Sequence, residues 1–164
     1  AWGGPRNNLA AEANALALVA AWRPRGWPIV WVQHASQLLG SPLGQNCPGF
    51  AFKDGFTPEP GDMHVVKHEN SAFVGTHLDV LLRRSNITDL VICGITTEHC
   101  VSTTTRMAAN LGFCVQLVGD ACHAWPKNRN GVTYDSQTVH DTELAILDGE
   151  FANVMTTRGV LDSL

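Results

Sequence analysis

Short apolar runs alternate with amphipathic stretches along nearly the whole chain, and no other feature constrains its fold as strongly. Pro28 to Gln33, Met63 to Val66, Leu90 to Cys93, Cys114 to Val118 and Ala152 to Thr156 read as strands. Helices are predicted from about Leu9 to Arg23, with Asn8 as N-cap and Pro24 near the end, and from about Phe73 to Arg84, where Val74, Leu78, Leu81 and Leu82 recur at helical spacing. A small-residue helix begins at Cys100 and closes at Gly112, and another runs from about Ser136 to Asp148. Strands separated by helices pair in parallel, because each crossover carries a helix back over one face of the sheet. The expected fold is therefore α/β, a three-layer α/β/α sandwich around a mostly parallel sheet, with residues 1–164 forming a single domain.

Composition narrows the function. The 164 residues are 45% hydrophobic and 16% charged, enough to bury a core, and the net charge is −4. With a pI near 5.9 and no Lys/Arg cluster interleaved with aromatics, nucleic acid and membrane are not expected partners. The most apolar stretch, Leu9 to Trp22, is interrupted by Glu12 and Asn14 and reads as a buried helix rather than a span. Five cysteines, an odd number without a CxxC pair, suit a reducing, cytoplasmic setting. Cys93 and Cys114 fall inside strand patterns and are expected in the core. The segment His34 to Asp62 is too long for an ordinary connection and reads as a binding loop or lid.

Chemistry concentrates at two strand ends. The Leu90 strand leads through Gly94-Ile95-Thr96-Thr97-Glu98-His99 to Cys100, at the start of a helix. Ligands in open α/β sheets bind beyond the carboxyl ends of strands, and unpaired N–H groups at a helix start favour a thiolate. Cys100 is the candidate nucleophile. Lys67 stands at the end of the preceding strand, where a cation can stabilise that thiolate. Neither a Gly-x-Ser-x-Gly elbow nor a Gly-x-Gly-x-x-Gly fingerprint occurs.

The segments Val66-Lys67…Ser71-Ala72-Phe73…Thr76 and Leu90-Val91-Ile92-Cys93-Gly94-Ile95-Thr96-Thr97-Glu98-His99-Cys100-Val101 closely resemble the isochorismatase-like cysteine hydrolases, and the likeness continues through Val118-Gly119-Asp120-Ala121-Cys122 and Glu150-Phe151-Ala152. The resemblance implies a Cys-Lys-Asp triad, with Cys100 and Lys67 in two of its roles. The aspartate of such proteins belongs to an Asp-x-Gln motif on a central first strand, and no Asp precedes Asp54 here. That first strand is expected to lie upstream of Ala1. The resemblance also implies a cis peptide between Ile95 and Thr96, and an oxyanion hole made by the backbone N–H groups of Thr96 and Cys100.

Nicotinamidase-like relatives carry an Asp-x-His metal motif where this chain reads Val32-Gln33-His34, so neither a metal nor any other cofactor is expected. His34, Phe73, Thr97 and Trp125 are candidates for contact with substrate. The expected activity is hydrolysis of a C–N bond in a small amide, carbamoyl or related molecule, through a thioester on Cys100. Isochorismatase-type hydrolysis of another small molecule is one alternative, and a non-catalytic binding or assembly protein on the same fold is another. The resemblance further implies a homo-oligomer, a dimer or tetramer, to which Trp2 or Trp27 could contribute.

Overall fold

In the computed structural model, residues 5–164 are described, and parallel strands flanked by helices form the expected three layers. The elements in chain order are α1 (Ala11–Trp22), β1 (Val30–His34), β2 (Met63–Lys67), α2 (Leu78–Arg84), β3 (Asp89–Ile95), α3 (Ser102–Asn110), β4 (Cys114–His123), β5 (Lys127–Arg129), β6 (Val132–Tyr134), α4 (Ser136–Leu147), β7 (Asn153–Met155) and α5 (Thr157–Asp162). β1 pairs in parallel with β2, and β3, β4 and β7 form a second parallel sheet in that order. Among the described residues β1 has no ladder on the side away from β2, and β3 none on the side away from β4. The described parallel strands thus form two separate ladders, β1–β2 and β3–β4–β7.

β4 is the central strand of the larger sheet, and Leu117, Val118, Ala121 and Cys122 are all buried, as suits a strand covered on both faces. On one face Ala15 and Leu18 of α1 and Val160 of α5 pack against Val118 and Ala121. On the other, Leu82, Ala108 and Leu147 from α2, α3 and α4 meet Leu117 and Val115. Each fully buried leucine contributes roughly 1.5–3 kcal/mol of hydrophobic stabilisation, which makes this two-sided core the main support of the strand ends that carry the chemistry.

Several local expectations are corrected. Asn8 does not cap α1: its φ is +41°, Ala10 occupies the N-cap, and its side-chain amide donates instead to the carbonyls of Cys122 (2.8 Å) and Gly119 (3.2 Å). α2 begins at Leu78 rather than Phe73, because Gly75 has φ +68° and the Thr76 hydroxyl donates to the Ala72 carbonyl at 2.6 Å, closing a turn first. Cys114 is exposed, not core, since it is the first residue of β4, before burial begins at Val115. β4 itself runs five residues beyond Val118, with a register irregularity opposite Ile92 and Gly94. The β5–β6 hairpin and α5 were not anticipated. Trp27 is partly exposed and packs edge-on against Trp22 at 5.2 Å, whereas Trp2 lies outside the described residues.

The long segment after β1 is tied at its ends. Ala35 N donates to the Lys67 carbonyl at 2.8 Å, and a His68 ring nitrogen donates to the Ala35 carbonyl at 2.8 Å. At its far end Asp62 accepts from both Arg23 guanidinium nitrogens at 2.8 Å and from the Trp31 indole at 2.6 Å. Those bonds hold the Asp62 carboxyl down at about 2.

Candidate active site

Cys100 lies within a π-helical turn, Thr97–Val101, that passes directly into α3. Val101 N donates to the Thr96 carbonyl at 3.2 Å, five residues apart, so the turn is one residue wider than an α-helical one. The Ile95–Thr96 peptide bond that leads into it is cis. Gly94, with φ +142°, supplies a backbone conformation that a side chain would oppose.

Lys67 ends β2 and is 3% exposed. Its ammonium lies 3.1 Å from Cys100 Sγ, 2.9 Å from the Glu69 carbonyl and 3.2 Å from His34 Nδ1. The two residues singled out from separate strand ends therefore meet. A further bond joins their elements: Ala72 N, in the segment after β2, donates to Thr104 Oγ1 of α3 at 3.0 Å.

Two of the other cysteines are held as thiols by their surroundings. Burial pushes the Cys93 thiol up to about 11 and raises that of Cys122 further. Cys100 alone among the cysteines has a lysine ammonium within hydrogen-bond distance among the described residues.

The π-helical turn is braced on two sides. On the buried side Thr97, fully enclosed, shares a 2.8 Å hydrogen bond with His140 Nδ1 of α4. His140 Nε2 lies 3.2 Å from the Asn8 side-chain amide, which has only protons to offer, so Nε2 accepts and Nδ1 carries the proton that goes to Thr97. Burial lowers the His140 pKa, in keeping with this neutral form. On the other side the Glu98 carboxylate, 8% exposed, pairs with Lys127 Nζ of β5 at 2.6 Å, and Lys127 Nζ lies 3.1 Å from His99 Nε2. A cavity of about 310 Å³ adjoins this pair, lined by Glu98, Tyr134, Thr138, Val139, Thr142 and Glu143.

Of the residues expected to meet substrate, Thr97 and Phe73 are buried. Thr97 has no exposed surface and its hydroxyl is engaged by His140. Phe73 is buried and stacks on Phe113 at 5.8 Å, as part of the core beneath α2. Trp125 packs edge-on against His123 at 5.7 Å and keeps partial exposure. His34 turns its Nδ1 to Lys67. Thr96 is buried, and its hydroxyl finds no hydrogen-bond partner. No group of three or more His, Cys, Asp or Glu among the described residues is placed to hold a metal ion. His140, Asn8 and Lys127 escaped the sequence reading, because each acts through a partner more than 25 positions away.

With the fold and this geometry in hand, comparison with known proteins identifies the class. The isochorismatase domain family matches residues 5–159, and the chain belongs to that family. It is 42% identical over 160 residues to the isochorismatase family protein YrdC of Bacillus subtilis, covering 97% of this chain and 86% of that one. A crystal structure of an isochorismatase-family protein from Chromobacterium violaceum superposes with a TM-score of 0.93 at 40% identity, covering 98% of this chain and 83% of the other. A shorter match, 37% identical over 87 residues, joins it to the ureidoacrylate amidohydrolase RutB of Azorhizobium caulinodans, over 53% of this chain and 38% of that one. The fold is that of a family of hydrolases. No helix among the described residues is long and apolar enough to cross a membrane.

Proposed function

We propose that this protein is a cysteine hydrolase that cleaves a C–N bond in a small amide, carbamoyl or related substrate. One observation carries the reading: the Lys67 ammonium, almost wholly buried at the end of β2, lies 3.1 Å from the Cys100 thiol. A cation this near favours the thiolate: at 3.1 Å and an effective dielectric of about 20, an ammonium and a thiolate attract by about 5 kcal/mol before desolvation is counted. The thiolate is the nucleophilic form of cysteine.

In this reading Cys100 Sγ attacks the substrate carbonyl, and the N–H groups of Thr96 and Cys100 receive the oxyanion. The amine leaves with a proton, a thioester remains on Cys100, and water hydrolyses it. Where the natural protein carries an Asp-x-Gln strand, its carboxylate takes the thiol proton and hands it to the leaving amine, with Lys67 beside it. The amidohydrolase name of the RutB relative supports a C–N bond as the target.

The test is ammonia release across a panel of small amides and carbamoyl compounds, with wild type and Cys100→Ala side by side. A loss of about 1,000-fold or more in the variant, with an unchanged circular-dichroism spectrum, is the expected result. Full activity in Cys100→Ala would refute the proposal.

A further inference from the structure

Lys67 has three ammonium protons, and among the described residues three acceptors stand around it: Cys100 Sγ at 3.1 Å, the Glu69 carbonyl at 2.9 Å and His34 Nδ1 at 3.2 Å. An ammonium has no lone pair, so His34 Nδ1 must be the acceptor in the third contact and the imidazole must be neutral to make it. His34 and Lys67 are direct partners in the β1–β2 ladder, the last pair of that register. The Glu69 carbonyl follows two residues after Lys67. One acceptor is thus a backbone carbonyl two residues on and another the side chain of the strand partner, and together they leave the remaining N–H aimed at the thiol.

We propose that His34 is a positioning residue for the Cys100 chemistry: as a neutral imidazole it holds Lys67 on Cys100, and its protonation releases that hold. The inference rests on Cys100 being the nucleophile and Lys67 its cation. It also reassigns His34, which sequence alone offered as a substrate contact. Once protonated, Nδ1 can no longer accept and a second positive charge faces the ammonium, so Lys67 is driven off the thiol. The charged and polar groups facing the ring are Lys67, His68 and Glu69. Burial, first, and then the Lys67 charge hold His34 below the ordinary imidazole range; His68 adds to this, and the Glu69 carbonyl and carboxylate act the other way.

A consequence follows for reactivity against pH. An isolated thiol loses reactivity in acid with a slope of one per pH unit, because a single proton is taken up. Here two protons act in succession, on Cys100 and on His34, and the acid side should be steeper.

The discriminating experiment is the pH–rate profile for carboxamidomethylation of Cys100 by iodoacetamide, followed by mass spectrometry of its peptide, in wild type, His34→Ala and His34→Asn. Asparagine sets its Oδ1 at the branch position that Nδ1 occupies in histidine; it can accept from Lys67 but cannot titrate. His34→Ala is expected to lower the rate near pH 7 by about 10-fold. His34→Asn should recover most of that loss and reduce the acid-side slope to one. An alanine variant as reactive as wild type overturns the inference, and so does a steep slope that persists in the asparagine variant. Lys67→Met in the same assay separates this failure from failure of the underlying reading. If Cys100 is activated and only Lys67→Met removes the activation, His34 has no such role. If Cys100 reacts as an ordinary thiol in wild type and Lys67→Met alike, the nucleophile reading itself falls, and this inference with it.

Discussion

Two lysines reach the Thr97–Val101 turn from distant parts of the chain, Lys67 from the end of β2 and Lys127 from the start of β5. Lys127 is 34% exposed at its side chain and pairs with a carboxylate, Glu98, at 2.6 Å. Lys67 is 3% exposed, and among the described residues its ammonium meets a carbonyl, an imidazole and a thiol. Lys127 therefore has a carboxylate for its charge, whereas Lys67 is turned to the thiol of Cys100. The contrast teaches that a cation can latch a turn or activate a group on it, according to what it is paired with and how much water it sees.

The sharpest way to break the comparison is Lys67→Met, which removes the ammonium while keeping most of the buried volume. Amide hydrolysis should fall about 100-fold, near 3 kcal/mol in barrier, and alkylation of Cys100 near neutral pH should slow. Unchanged alkylation would leave Lys67 as a structural lysine, no different in kind from Lys127.

Acid should act on the scaffold before it unpairs the carboxylates. His123 is 1% exposed, at the end of β4, and burial, with the Arg6 and Lys53 charges added, brings its pKa down to about 4. A histidine depressed in the folded state stabilises fully above its unfolded value, near 6.5, and that contribution is lost as pH falls toward 4. The loss should approach about 3 kcal/mol in urea titrations at successive pH values, and His123→Gln should flatten the curve. Glu12, tied to Arg6 and Lys53, and Asp62, tied to Arg23, are both lowered to about 2, so their contributions persist down to about pH 4 and disappear only below it.

His140→Ala tests the buried brace. It strands the Thr97 hydroxyl and removes one partner of the Asn8 amide, at about 1–3 kcal/mol of unfolding free energy by urea titration. Hydrolysis should fall with it, since the turn bearing Cys100 loses its inner support. The smallest effect belongs to Lys127→Gln. The pair is partly solvated on the lysine side, so stability should drop by about 1 kcal/mol, seen as a few degrees in melting temperature. Cys100 alkylation should keep its pH dependence. A slowing as large as that of Lys67→Met would erase the distinction between the two lysines.

Much of this arrangement was legible in the sequence where a local pattern met a rule of topology. The Leu90 run and the glycine-led turn after it announced a strand ending in chemistry, and Lys67 followed a strand in the same way. The family likeness added the cis Ile95–Thr96 bond, which no periodicity reveals. Other elements were hidden for identifiable reasons. In α5 an interior Gly159 weakens the helical pattern, and the helix is held by Thr156, whose hydroxyl accepts from Gly159 N at 3.0 Å. In the β5–β6 hairpin the polar strands lack alternation, although Asn130 and Gly131 both take the positive φ of a tight hairpin turn. Phe73 looked like a pocket wall because an aromatic beside a motif carries no label for the side it faces; the turn at Gly75 sends it into the core.

By itself the sequence determined the family, through the likeness of its local motifs, and the layered α/β architecture, through the crossover rule for parallel strands, and it singled out Cys100 and Lys67 at two strand ends. Tertiary structure alone decided how those residues are served. That His34 closes the coordination of Lys67, that His140 and Asn8 hold Thr97, and that Lys127 covers Glu98 all depend on contacts between segments 28 to 132 residues apart. Hydrogen bonds act over about 3 Å in space and have no period in the chain, so only folding brings their partners within reach of one another.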